Sequence, residues 1–374
     1  MGRLTLFSLL IILSTVILSC TSSPAPKPLT EPAPSTPPVE KAPSSSQGEW
    51  ERVIAQAKRE GKVTAYVSTL PSNAYRGISQ AFQEKYGISI EFIAGRGMDI
   101  MQRVVTEQRA GVNQADFYET GVPTHLMLKE RGLLEGPIAL PETANVSSWM
   151  IDPWIADKEK FMFSYYEYTP GPVINTDIIK GADEPKSWLD LLDPRWKGKI
   201  AWDDPSVPGP GAKNMSFVKW YLNSEYWDKL ARNEVAFIRD RVFIFDSVVR
   251  GRYPIAAGVF TTAITRGIKD GAPIRPLYMK EGYPGAGWTV SLIKNAPHPN
   301  AGKLFANWFL SREGQTVFSK EAEVASYRKD VPQDHVNASF RLTPEMKIVP
   351  WTPADEAKQT KDMPLAAEFF KIGR

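Results

Sequence analysis

The chain has 374 residues, 43% hydrophobic and 23% charged, enough for more than one domain with its own core. Its 45 basic and 42 acidic residues leave a net charge of +3, which argues against a nucleic-acid partner held on a concentrated basic face. One cysteine, Cys20, excludes an intramolecular disulfide and a cysteine metal cluster.

Leu4 to Leu18 is an apolar run preceded by Arg3, too short for a comfortable membrane span and suited to a signal-peptide core. It ends in Ile17-Leu18-Ser19-Cys20, which resembles the bacterial lipobox. That resemblance implies a signal peptide over 1–19, lipidation of Cys20, and an extracytoplasmic protein held to the membrane by a lipid anchor. Between Thr21 and Gly48, eight of 28 residues are Pro and nine are Ser or Thr. Such a segment buries too little apolar surface to offset its ordering entropy, so 20–48 reads as a disordered linker. Extended, it reaches on the order of 80 Å at ~3.1 Å per residue.

A helix is expected over Glu49–Glu60, with Trp50, Val53, Ile54 and Ala57 on one face and Gly61 as its stop. Next, the hydrophobic period switches repeatedly between two and about 3.6. Strands are expected at Val63–Val67, Ile88–Ile93 and Ala115–Tyr118, with helices at Ala74–Tyr86, Asp99–Ala110 and up to Arg131. Alternating strands and helices imply a parallel sheet with right-handed crossovers, and such sheets bind ligands beyond their strands' carboxyl ends. Those ends are Ser68-Thr69, Gly95-Arg96-Gly97 and Glu119-Thr120-Gly121.

Phe161–Tyr168 reads as a strand with a tyrosine cluster (Tyr165, Tyr166, Tyr168) where the chain crosses to a second domain. There, a short helix at Trp188–Leu192, a strand at Lys199–Trp202 and the Pro/Gly loop after Asp203-Asp204 precede a helix from about Ala212 to Leu222. Helices at Ser224–Arg239 and Phe245–Arg252 follow, then a strand at Ile255–Val259 leading through Phe260-Thr261-Thr262 into a helix to Lys269. Pro284–Ile293 reads as a strand returning to the first domain, Pro299–Phe318 as an amphipathic helix pair, and the rest as a Pro-punctuated tail.

No nucleophile elbow, H-E-x-x-H, P-loop or complete G-x-G-x-x-G occurs, and the three histidines (His125, His298, His335) are scattered. Loop-to-helix junctions rich in Ser, Thr and Gly remain; they suit carboxylate or phosphate because a helix N-terminus offers unpaired N–H groups. Four stand out: Ser68-Thr69, Gly95-Arg96, Ser206 in its Pro/Gly loop, and Thr261-Thr262. Arg96 adds a planar fork for an anion. Tyr166, Trp202, Phe260 and Trp288 are candidates for a pocket wall. Most of the tryptophans are expected in the core.

Ser187-Trp188-Leu189-Asp190-Leu191-Leu192-Asp193-Pro194-Arg195-Trp196-Lys197-Gly198-Lys199-Ile200 resembles a W-x-DLLDP-x-WKGKI segment of the type 2 periplasmic binding proteins, in their ferric-iron, thiamine and phosphonate branch. Val290 to Ala301, Leu304-Phe305 and Ser311-Arg312-Glu313-Gly314-Gln315 are similar to that branch's C-terminal signature; Ala115-Asp116-Phe117-Tyr118 and Gly132-Leu133-Leu134 also fit. The resemblance implies a two-lobed α/β fold with the ligand between lobes, formed by 49–165 with 283–325 and by 166–282, while 326–374 packs on both. It implies the solute-binding subunit of an ABC importer, partnered by a permease and its ATPase, acting as a monomer without cofactor or catalysis. The branch's iron ligands do not carry over: Leu70 stands near the usual histidine, Thr120 near the acidic ligand (Glu119 one place off), and Phe260-Thr261-Thr262 at the tyrosine pair. Hydroxyls in place of phenolates suit an anionic or organic solute. The expected site is Ser68, Thr69, Arg96, Thr120, Tyr166, Ser206, Thr261, Thr262 and Trp288. A ferric-iron carrier with non-standard ligands is one alternative. A surface-anchored hydrolase or transferase is another, with Asp203-Asp204 as its carboxylate pair.

Overall fold

The computed structural model describes residues 45–374 except 167–169, 286–287, 344 and 374, and only the backbone of 45–47 and Tyr166. The expected signal peptide, Cys20, the linker up to residue 44 and Tyr168 lie outside the described residues.

Helix α1 (Ser45–Glu60) begins before the expected Glu49. Next come β1 (Lys62–Val67), α2 (Ala74–Tyr86), β2 (Ser89–Ala94), α3 (Gly97–Ala110), β3 (Phe117–Gly121), α4 (Val122–Glu130), β4 (Leu134–Glu135) and β5 (Phe163–Tyr166). A second run holds β6 (Val173–Asn175), β7 (Ile200–Asp203), α5 (Pro210–Phe217), α6 (Tyr226–Ala231), β8 (Ala236–Ile238), α7 (Arg241–Val249), β9 (Ile255–Ala257), α8 (Thr261–Lys269) and β10 (Ile274–Pro276). The chain returns through β11 (Tyr283–Gly285) and β12 (Trp288–Ile293) to α9 (Pro299–Leu310) and α10 (Arg312–Ala322), then ends in β13 (Ile348–Pro350) and α11 (Pro353–Phe369).

Two lobes form, one around each sheet. The first sheet has the order β2-β1-β3-β12-β4, with β5 also on β12; β1 is parallel to β2 and β3, and β12 runs antiparallel to its neighbours. The second has the order β10-β6-β9-β7-β8, with β7 parallel to β8 and β9. Helices cover both faces of β1, so Thr64 and Tyr66 are buried along with Val63, Ala65 and Val67. Strand alternation is therefore not an inside–outside signal here. The Ser224–Arg239 helix proves to be α6 followed by β8, since Ala236-Phe237-Ile238, with an aromatic and a β-branched side chain, pairs with β7.

Eight of the eleven tryptophans are buried, as expected; Trp202 donates its indole N–H to Gly211 O at 3.0 Å and belongs to the core. The tail contains α11, opened by a reciprocal Thr352–Asp355 capping box. Helix α11 docks on the second lobe through Lys213–Glu356 (2.8 Å), Lys219–Asp362 (3.0 Å) and the Trp220 indole N–H on Asp362 (2.6 Å). Trp351 stacks on Trp220 at 5.2 Å between ring centroids.

In the first lobe His125 of α4 is wholly buried; its Nδ1 lies 2.7 Å from Ser291 Oγ of β12, while Nε2 has no hydrogen-bond partner among the described residues. Burial pushes its pKa down to about 3, so the folded protein holds it neutral. Unfolded, it takes up a proton near pH 6.5. The stability this depressed pKa confers is present above about pH 6.5 and is lost as pH falls from there toward about 3. Urea unfolding should show wild type losing about 1.4 kcal/mol per pH unit more than His125→Gln below about pH 6. Parallel pH profiles for the two would contradict a buried neutral imidazole.

Candidate functional site

Because β1, β2 and β3 are parallel, their carboxyl ends and the N-termini of α2, α3 and α4 share one edge of the first lobe. Glu119, fully buried in β3, organises that edge. Its carboxylate accepts Thr69 N (3.2 Å), Leu70 N (3.0 Å), the Thr69 hydroxyl and the Tyr165 hydroxyl (2.8 Å). Burial pushes its carboxyl up from the ordinary range, and these donors pull against that shift. Thr69 is thus committed to Glu119. Ser68 donates its N–H to Glu119 O at 2.9 Å, and its hydroxyl lies so near Gly97 that a Cβ there would stand 3.4 Å from it. Thr120 is buried, its hydroxyl bonded to that of Thr124 one turn into α4. Trp288 sits half-buried opposite Gly121 and is paired through the backbone with Tyr166, whose side chain lies outside the description. Arg96, in the N-cap position of α3, is exposed and forms no ion pair among the described residues.

The second lobe repeats the arrangement at the ends of β7, β8 and β9, where α5, α7 and α8 begin. Asp203 is buried and accepts Gly211 N at 3.0 Å and Arg241 Nε at 3.3 Å. Burial raises its pKa, opposed by the Gly211 N–H and the guanidinium. Asp204 accepts both the N–H (2.8 Å) and hydroxyl (2.5 Å) of Ser206, so the pair closes the Pro/Gly loop. Gly258, at φ +83°, packs where a Cβ would stand 2.6 Å from Asp203 Cβ. Thr262 is exposed. Thr261, the first residue of α8, is 7% exposed, and its hydroxyl has no partner among the described residues. Thr265, one turn later, carries a second buried and unpartnered hydroxyl.

Thr261, Thr265 and Lys269 lie along one stripe of α8. Lys269 Nζ bonds Glu323 Oε1 of the first lobe at 2.7 Å, just beyond α10. Asn73, which ends the Ser68–Asn73 loop, donates to Glu321 O at 2.5 Å. The α8 stripe and the first strand's loop therefore meet on the same short segment, Glu321 to Glu323. These two contacts tie the C-terminal end of α8 and the end of the first loop to one segment of the chain. Thr265 and Arg241 were missed; the i, i+4 repeat of threonine in Thr261-Thr262-Ala263-Ile264-Thr265 was the available signal. An apolar hollow of about 200 Å³ lies at the start of α8, lined by Val242, Phe245, Val259, Phe260 and Ala263, with Arg241 4.8 Å above the Phe260 ring. No group of three or more His, Cys, Asp or Glu able to hold a metal occurs among the described residues.

Residues 77–347 match the family of bacterial extracellular solute-binding proteins. An uncharacterized protein of Haemophilus influenzae is 27% identical over 279 residues, covering 72% of this chain and 79% of its own length. A Salmonella typhi protein named "Putative 2-aminoethylphosphonate-binding periplasmic protein" is 25% identical over 281 residues, 68% of this chain and 74% of its own. Among solved structures, the fructose-6-phosphate-bound periplasmic binding protein AfuA of Actinobacillus pleuropneumoniae aligns with a TM-score of 0.62 at 20% identity, over 84% of this chain and 99% of that one. Iron-bound HitA of Pseudomonas aeruginosa aligns with a TM-score of 0.65 at 21% identity, over 82% and 99%. With its two lobes and matched edges, the chain belongs to the extracellular solute-binding protein family that serves ABC importers.

Proposed function

We propose that the two edges grip one small anionic organic solute, and that the lobes close on it before the protein docks on its permease. The observation that carries this reading is the pair of buried, unpartnered hydroxyls of Thr261 and Thr265 on the face of α8 tied to the first lobe. A buried hydroxyl without a partner costs about 1–3 kcal/mol, and an acceptor group on the ligand relieves that cost. The N-terminus of α8 adds an electropositive end for an anion. The hollow beside Phe260 suits a carbon body, so an organic anion fits better than a bare metal ion. Arg96 supplies charge from the opposite lobe, and Ser68 and Trp288 complete that wall. The Asp203–Arg241 pair and the Asp204–Ser206 turn hold the second wall in shape. The lobe boundaries, the monomeric state and the lipid anchor at Cys20 belong to the same reading.

Titration calorimetry against 2-aminoethylphosphonate, fructose 6-phosphate, inorganic phosphate and ferric citrate tests it. An organic phosphate or phosphonate should bind, and Thr261→Val should weaken it roughly tenfold or more, the loss of a hydrogen bond to a charged group. The same variant should melt no lower than wild type, because it removes an unsatisfied buried hydroxyl. Unchanged affinity in Thr261→Val, or binding of ferric citrate alone, overturns the reading. For the anchor, Cys20→Ser should move the protein from the membrane fraction to the soluble one; retention in the membrane would contradict lipidation at that residue.

A further inference from the structure

A second pocket, of about 420 Å³, lies away from the strand ends, between the chain that leaves β10 for β11 and the tail segment that leads into β13. None of its lining residues belongs to the site described above. Its size falls within the range of small-molecule sites. The floor is apolar and aromatic: Met279 and Tyr283 are buried, Met346 packs on the core, and Tyr278 meets Tyr283 edge to face at 6.4 Å. Tyr283 is held in place by accepting Met279 N at 2.5 Å and donating to Leu277 O at 2.8 Å.

The rim is cationic. Lys186, Lys280, Arg341 and Lys347 face one acid, Glu345, an excess of three positive charges that equals the net charge of the whole chain. Lys186 and Lys347 form no ion pair among the described residues. Lys280 reaches only Glu281, at 4.0 Å, and that carboxylate already receives the Ser187 hydroxyl and Trp188 N. Arg341 is oriented by two carbonyls, Nε on Val336 O and Nη2 on Asp334 O, both at 3.0 Å, which leaves Nη1 available. Four cations around one hollow repel one another, and a guest anion relieves that repulsion. Thioether and phenol walls favour an aromatic or aliphatic body beneath the charge.

We infer that this pocket is a second small-molecule site, for an amphipathic monoanion with a carboxylate or sulfonate on the cationic rim and an apolar body against Met279, Tyr283 and Met346. Its occupant would rest against β11, the strand by which the chain returns between lobes.

The test is titration calorimetry of the full chain with 4-phenylbutyrate, beside the neutral 4-phenylbutanol of the same body. Saturable one-to-one binding of the acid is expected, at least about tenfold tighter than the alcohol. Lys347→Glu should weaken it about tenfold, and Ala338→Trp, an exposed position where added bulk fills the hollow, should abolish it. Thr261→Val should leave it unchanged. The inference is overturned by absence of binding, by equal affinity for the alcohol, by indifference to both pocket variants, or by loss in Thr261→Val, which would assign the probe to the interlobe site.

Discussion

A buried carboxylate holds the first lobe's edge together. Glu119 draws the Thr69 and Leu70 amides and the Thr69 hydroxyl inward, and it accepts the Tyr165 hydroxyl from β5, the strand that leaves for the other lobe. A carboxylate in a dry interior is tolerated only when its lone pairs are filled, and here four donors fill them. Its placement fixes the first loop relative to the crossing strand, and the remaining geometry of the edge follows. Ser68 and Thr124 close on Gly97 at the start of α3, and Trp288 registers against Gly121.

The second lobe answers with a different device. Asp203 pins the N-terminus of α5 and Arg241 of α7 at once, so two helix starts and the end of β7 form one rigid corner. The neighbouring helix α8 leaves two hydroxyls buried and unpaired instead of capping itself. A buried hydroxyl without a partner carries a desolvation cost that an acceptor on a ligand would relieve. In the proposed mechanism the solute supplies the missing acceptors only when the lobes approach, so binding energy and closure are coupled through the same atoms. The Lys269–Glu323 pair lies along that stripe but is exposed, and it contributes little by itself.

The parallel core was legible in sequence because period and turn chemistry agreed. Ala74–Tyr86 matches its helix end to end, and the helix expected after Phe260-Thr261-Thr262 ends at Lys269 as expected. Three features were hidden. Strand β8 lay inside Ser224–Arg239, expected as one helix, because only three residues pair with β7 there. Strand β3 sits later than expected, because pairing with β12 extends it through Glu119 and Thr120. Helix α11 was masked by Pro353 and Pro364, although Thr352-Pro353-Ala354-Asp355 carries a capping signature. For the site, residue types at the strand ends pointed to loops that the structure gathers on one edge of each sheet. They did not distinguish hydroxyls already engaged (Thr69, Thr120, Ser206) from those left open (Thr261, Thr265), since that depends on partners far away in sequence.

The central claim is that one solute bridges both edges and draws the lobes together. Small-angle X-ray scattering of the full chain, alone and saturated with whichever organic phosphate or phosphonate binds in calorimetry, measures this directly. The account predicts a smaller radius of gyration with solute for wild type and no change for Thr261→Val at the same solute concentration. A radius unaltered by saturating solute in the wild-type protein would contradict it.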